Sequence, residues 1–166
     1  MKKILGLLML FMFAAVMSYA AESTSTTGTA KAKIIQAAVI EEASGAALDF
    51  GTIVADTDGG TVQVTASSNP ARNPSGIKVA GNDFSADHFV MSNLDADTEY
   101  SVAVDPSVTL SKQGATDMSA TLVLSNGDST VTGVTTKDVY VGGTLTVGAN
   151  QAAGEYSGTY SITVTY

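Results

Sequence analysis

The residue best suited to trade protons near neutral pH is His88, the only histidine in the chain. No cysteine accompanies it. Zinc is held mainly by Cys and His, so a zinc site of the usual composition is out of reach within one chain. Thiol catalysis and a cysteine-linked lipid anchor go the same way. A Ser-His-Asp triad would have to be built on His88, and neither Ser85 nor Ser92 lies in a motif that marks a nucleophile. Glycoside hydrolysis needs two facing carboxylates, but Glu22, Glu41, Glu42, Glu99 and Glu155 are scattered along a short chain.

Two acidic runs remain, Asp56-Thr57-Asp58-Gly59 and Asp95-Ala96-Asp97-Thr98-Glu99. Calcium takes six to eight hard oxygens, and such runs can supply several. Both lack the distal glutamate and flanking helices of a helical-hand loop. Asp in a turn usually caps its own backbone, and that is the reading adopted here. The expectation is therefore a chain with no catalytic residue, no metal and no cofactor, and not an enzyme.

The elements that carry these residues begin with a leader. Lys2 and Lys3 precede an apolar run from Ile4 to Val16, and Ser18-Tyr19-Ala20 supplies small residues where a signal peptidase reads. The run is too short to span a bilayer, and no later stretch approaches the length a membrane helix needs. Residues 1–20 are expected to be a signal peptide, leaving no membrane span after cleavage. They hold two of the eight basic residues and none of the sixteen acidic ones, so the remainder carries a net charge of −10. That charge excludes the electrostatic footprint of a nucleic-acid binder.

Residues 21–29 contain no large apolar side chain and are expected to form a flexible arm. From Ala30 the composition turns to Val, Ile, Thr, Leu and Tyr, broken by turn residues at short intervals, and 30–166 is expected to be one domain. Gly154–Tyr166 alternates most strictly. Tyr156, Tyr160, Ile162, Val164 and Tyr166 share one face with Gly158, and the other face is wholly polar. Val139, Val141, Leu145 and Val147 repeat the pattern, as do Met118 to Leu124, Tyr100 to Val104, and Val62 with Val64. Leu48, Phe50 and Val54 share a face in a shorter run. Ile34 and Ile35 mark an expected bulge. Asp58-Gly59-Gly60, Ser75-Gly76, Asn126-Gly127 and Ala153-Gly154 punctuate these runs, and Asn126-Gly127 is expected to be a hairpin turn. Eight or nine short strands in this length imply an antiparallel β-sandwich. A small outer-membrane barrel is the alternative, although the aromatics are few for two girdles.

Leu48-Asp49-Phe50-Gly51-Thr52-Ile53, Val141-Gly142-Gly143-Thr144-Leu145-Thr146-Val147 and the whole of Gly154–Tyr166 together resemble a family of secreted bacterial domains of unknown function. That family is allied in pattern to spore coat protein U and to chaperone–usher pilins. The resemblance implies an immunoglobulin-like, pilin-like sandwich that lacks a strand, the gap being filled by a partner's added strand. Gly154 and Tyr166 match the pilin spacing of a glycine twelve positions before a tyrosine near the end. The pilin disulfide is absent, and 21–29 lacks the alternating large residues of a donor. A donor beginning at Ala30 and running through Ile34 is the other option, and the same segment is a candidate first strand.

The function expected is an exported structural subunit working through protein–protein contacts. It would be found in the periplasm, at the cell surface or outside the cell. Gly154, Tyr156, Tyr160, Ile162, Val164 and Tyr166 are its expected core and assembly strand. The implied partners are other protein subunits, copies of itself among them, and a periplasmic chaperone. A secreted carbohydrate- or calcium-binding module is the other reading. Amino-terminal sequencing of exported protein is expected to begin at Ala21; a start at Met1 would overturn the leader.

Overall fold

The structure, a computed structural model, describes residues 22–45, 47–125 and 128–166. The expected leader and the Asn126-Gly127 turn lie outside the described residues. The chain divides into two units, Met1–Lys33 and Ile34–Tyr166. The described part of the first, residues 22–33, is exposed and has no regular secondary structure.

The second unit is all-β and antiparallel, with no helix among the described residues. Its strands are β1 (Val39–Glu42), β2 (Thr52–Val54), β3 (Gly60–Val64), β4 (Arg72–Ser75), β5 (Lys78–Ala80) and β6 (Asp87–Ser92). They continue with β7 (Tyr100–Val104), β8 (Ser107–Leu110), β9 (Met118–Leu124), β10 (Thr130–Val131), β11 (Lys137–Val147) and β12 (Ile162–Thr165). The largest sheet runs β1-β6-β11-β3-β4; β9 branches from β11, and β8 pairs with β9. A smaller sheet runs β10-β7-β12, and β2 pairs with β5.

β11 organises the large sheet. Val141 faces Asp87 of β6 and Leu124 of β9, so those two strands lie on opposite edges of β11. Gly143 faces Val64 of β3 and Leu122 of β9. β6 and β3 therefore share one edge, β6 along residues 137–141 and β3 along residues 143–147. The sheet forks between them at Gly142. A Cβ at Gly142 would stand 2.5 Å from both the Val64 carbonyl oxygen and the Ala66 amide nitrogen. One at Gly143 would stand 2.5 Å from the Thr121 carbonyl oxygen on the other edge. Real Cβ atoms do not approach backbone that closely, so the fork needs glycine at both positions.

The alternation read in the sequence holds along the central strands. Val139, Val141, Leu145 and Val147 are buried, as are Met118, Ala120 and Leu122, Tyr100 and Val102, and Val62 and Val64. Each such aliphatic side chain contributes about 1.5–3 kcal/mol on burial. They form two apolar clusters, with Phe89, Leu124 and Ile162 packed against both.

Three expectations are corrected. Phe50 is buried but Val54 is 46% exposed. Gly51 adopts φ 75° and breaks the run, so in β2 it is Ile53 that turns inward. The Ile34/Ile35 bulge is absent: among the described residues no strand precedes Val39, and Ile34 is 95% exposed. Regular pairing in the last segment is confined to Ile162–Thr165. Tyr156, Tyr160, Ile162 and Val164 still turn inward but are only half-buried, and Tyr166 is 57% exposed. A strand with one neighbour cannot bury a face as deeply as one held between two.

Gly142→Val is expected to force the fork apart and to cost about 1–3 kcal/mol or more. Gly28→Ala, with nothing within 4 Å of the added carbon, is the matched control. Thermal melting followed by far-ultraviolet circular dichroism checks the pair; equal melting temperatures would contradict the fork.

Candidate functional site

Among the described residues β12 pairs only with β7, and β1 pairs only with β6. Each leaves one edge of backbone groups without a strand neighbour. Both edges rest on the same buried cluster of Met91, Leu94, Tyr100, Val102, Val131 and Val139. Ala38 and Ile40 pack against it from the β1 side, Ile162 and Val164 from the β12 side.

The segment before β12 follows the outer edge of β8 and then β7. Ser157 and Ser111 exchange backbone hydrogen bonds of 2.9 and 3.1 Å. The Asp105 amide donates to the Ser161 carbonyl at 3.0 Å, and the Ser161 amide donates to Asp105 Oδ2 at 2.7 Å. The register slips between these contacts beside Pro106, which has no amide hydrogen to give the ladder. Beyond it Ile162 lies opposite Val104 and regular pairing begins.

Side chains fasten the same segment to the body. The Tyr160 hydroxyl donates to Asp87 Oδ2 of β6, and the His88 amide donates to Asp87 Oδ1 at 2.8 Å. Asp87 is buried, and these two donors are what make a carboxylate tolerable there. Lys112 Nζ donates to the Ala153 carbonyl at 2.7 Å, beside Gly154. Gln151 Nε2 donates to the Thr116 carbonyl at 2.5 Å and, within the segment, to the Tyr156 hydroxyl at 2.9 Å, which itself donates to the Ala152 carbonyl at 2.8 Å. Tyr166 tilts its ring against Tyr100, centroids 5.3 Å apart.

A cleft opens between this segment and residues 47–55. Its two adjoining depressions, of about 740 and 450 Å³, share Leu48, Phe50, Leu110 and Tyr156. The core residues Val108, Met118, Leu145 and Val147 reach into one or the other. The charged residues lining the cleft are all acidic: Asp49, Asp83 and Glu155. Arg72 holds the 47–55 wall from outside. Its Nη1 donates to the Phe50 carbonyl at 3.5 Å, and its guanidinium lies 4.8 Å from the Phe84 ring centroid.

The sequence-predicted residues thus fall together in part. Gly154, Tyr156 and Tyr160 line or border the cleft, Ile162 and Val164 continue along the open edge, and Tyr166 lies outside it. Asp87, Arg72 and Lys112 were missed. Asp87 had a readable signal, a carboxylate on the same strand parity as Phe89 and Met91. Arg72 and Lys112 had none, because their partners are backbone carbonyls far along the chain.

The other candidates lie elsewhere. His88 Nε2 is 2.8 Å from Asp138 Oδ1, and the Ser85 hydroxyl donates to the Ala47 carbonyl at 2.7 Å. Asp95 Oδ1 accepts from the Asp97 amide at 3.0 Å and Asp56 Oδ1 from the Thr57 amide at 2.6 Å, so both acidic runs cap local backbone. Among the described residues no three His, Asp or Glu side chains gather as a metal cage. Nor is any helix there long and apolar enough to cross a membrane.

Burial holds the Tyr160 phenol well above its ordinary range, and the hydrogen bond to Asp87 and the charges of Asp87 and Glu42 push the same way. The folded state therefore favours the neutral phenol. Its contribution is complete below the unfolded value of about 10 and falls as pH rises from there toward the raised folded value. Tyr160→Phe is expected to cost about 1.5–3 kcal/mol at neutral pH. It should also flatten the loss of stability above about pH 10. Urea melts at pH 7 and pH 10.5 test both signs; parallel losses in the two proteins would contradict the linkage.

No curated protein and no solved structure matches the chain. A family model described as a domain of unknown function, DUF4402, matches residues 40–166, a span that includes both walls of the cleft. By that match, which covers most of its length, the chain belongs to the DUF4402 family of domains of unknown function.

Proposed function

We propose that this protein is an exported structural subunit of the cell surface, with a pilin-like, immunoglobulin-like sandwich as its body, and that it acts by protein–protein contact and not by catalysis. The observation that carries the reading is the open seam. Two strand edges without outer neighbours flank one apolar cluster, and an apolar cleft with an acidic rim continues along the terminal segment. An added strand would satisfy both needs at once, pairing along the free edges and covering apolar side chains.

The occupant proposed is residues 30–34 of a second copy. Ala30, Ala32 and Ile34 alternate with Lys31 and Lys33, so an extended chain there has one small apolar face and one basic face. Ile34 is 95% exposed in its own chain. Two lysines opposite Asp49, Asp83 and Glu155 give the pairing a charge preference, which suits a chain whose body is otherwise acidic.

Light scattering coupled to size-exclusion chromatography of the mature protein is expected to show mass rising with concentration. Lys31→Glu with Lys33→Glu should return it to monomer without lowering the melting temperature, and added salt should weaken association of the wild type. A monomer at every concentration, or association unchanged by the double substitution, would overturn the reading.

A further inference from the structure

Tyr140 is the aromatic residue of the central strands that the buried alternation leaves out. On β11 it shares the outward parity with Asp138, while Val139 and Val141 point inward and are buried. Its cross-strand partner in β6 is His88. The two rings stack at 4.6 Å between centroids and 14° between planes. His88 Nε2 in turn lies 2.8 Å from Asp138 Oδ1. Packing and one hydrogen bond thus hold a flat ring and a carboxylate side by side on the outer surface. Nothing in the core needs this arrangement.

Tyr140 and Asp138 border a shallow depression of about 500 Å³, apart from the cleft. The chain leaving β3 forms one wall, because Ala66 passes against Gly142 at the fork and brings Ser67 and Ser68 beside Tyr140. Ser125 and Thr136 add hydroxyls from the other side. Lys137 lines it too, but its ammonium is engaged 2.8 Å from the buried Asp128 carboxylate. The surface offered is one aromatic ring, several hydroxyls and two carboxylates, Asp138 at the surface and Asp128 paired with Lys137, with little aliphatic area and no unengaged cation.

We infer that this depression is a binding subsite for a neutral saccharide. An apolar peptide or a lipid would find almost no aliphatic surface there. An anionic ligand would meet Asp138 with no free positive charge to offset it. A sugar presents a C–H face that packs on an aromatic ring and hydroxyls that hydrogen-bond to a carboxylate and to serines. The depression lies in the size range of small-ligand sites, large enough for one or two sugar rings. The inference is independent of strand addition at the seam, since the two sites share no residue.

The test is titration of the ¹⁵N-labelled mature protein with galactose, mannose, N-acetylglucosamine and their short oligomers, and with sialic acid as the anionic control. Saturable amide shifts confined to residues 66–68 and 136–140 are expected with at least one neutral sugar. Tyr140→Ala and Asp138→Asn should each weaken that binding about tenfold or more, a loss of ~1.4 kcal/mol. Tyr140→Phe should retain most of it, and melting temperatures should stay close to wild type. Asp138→Asn keeps the side chain's shape and guards against a folding defect in Tyr140→Ala. No saturable shift with any neutral sugar, shifts at other residues, binding indifferent to both substitutions, or preference for sialic acid would each overturn the proposal.

Discussion

Backbone approaches Gly142 and Gly143 so closely from both edges of β11 that neither position has room for a side chain. The rest of the structure hangs on that constraint. One strand of ordinary width serves three neighbours, because β6 leaves its edge where β3 takes it over, while β9 lies along the other edge from Val141 to Thr146, across the fork. A sheet that forks in this way cannot stay flat. Its strands on either side of the fork turn their inner faces toward separate parts of the core, and two apolar clusters result, joined through Phe89, Leu124 and Ile162.

The cost of the arrangement is borne at the periphery. The large sheet ends at β1 and the smaller one at β12, and among the described residues neither strand has a second neighbour. Unpaired edges are an aggregation hazard that proteins usually blunt. Here the terminal segment is fastened by side chains instead of by a second ladder: Tyr160 to Asp87, Lys112 to Ala153, Gln151 to Thr116. Such fasteners hold position while leaving the backbone edge available, which is the property strand addition requires. The acidic lining of the cleft also counts against edge-to-edge pairing of identical bodies, since like charges repel.

The two faces of the large sheet divide the chemistry. Inward parity carries aliphatic side chains and one buried carboxylate, and it belongs to stability. Outward parity carries Tyr140, His88 and Asp138 in mutual contact, a polar cluster that adds little to the core and is open to solvent. A one-residue slip of β11 would exchange these sets, so the same register that buries Val139 and Val141 also displays Tyr140.

The sequence by itself determined which residues face inward along β3, β7, β9 and β11, and even the inward parity of Tyr156, Tyr160, Ile162 and Val164. Side-chain direction in a strand is a local property with period two, so it is legible wherever the backbone stays extended. It failed where the backbone departs from that state, at Gly51, which reversed the parity before Val54; in the terminal segment the parity held although the pairing beside Pro106 is irregular until Ile162. Tertiary structure alone decided which strands are neighbours, which edges stay open and how deep each inward residue lies. Those depend on contacts between residues far apart in the chain, as Asp87 with Tyr160, Arg72 with Phe50 and Gly142 with Ala66. Tyr166 makes the distinction plain. Its parity was readable, yet its exposure follows from β12 having one described neighbour, β7, which no local pattern records.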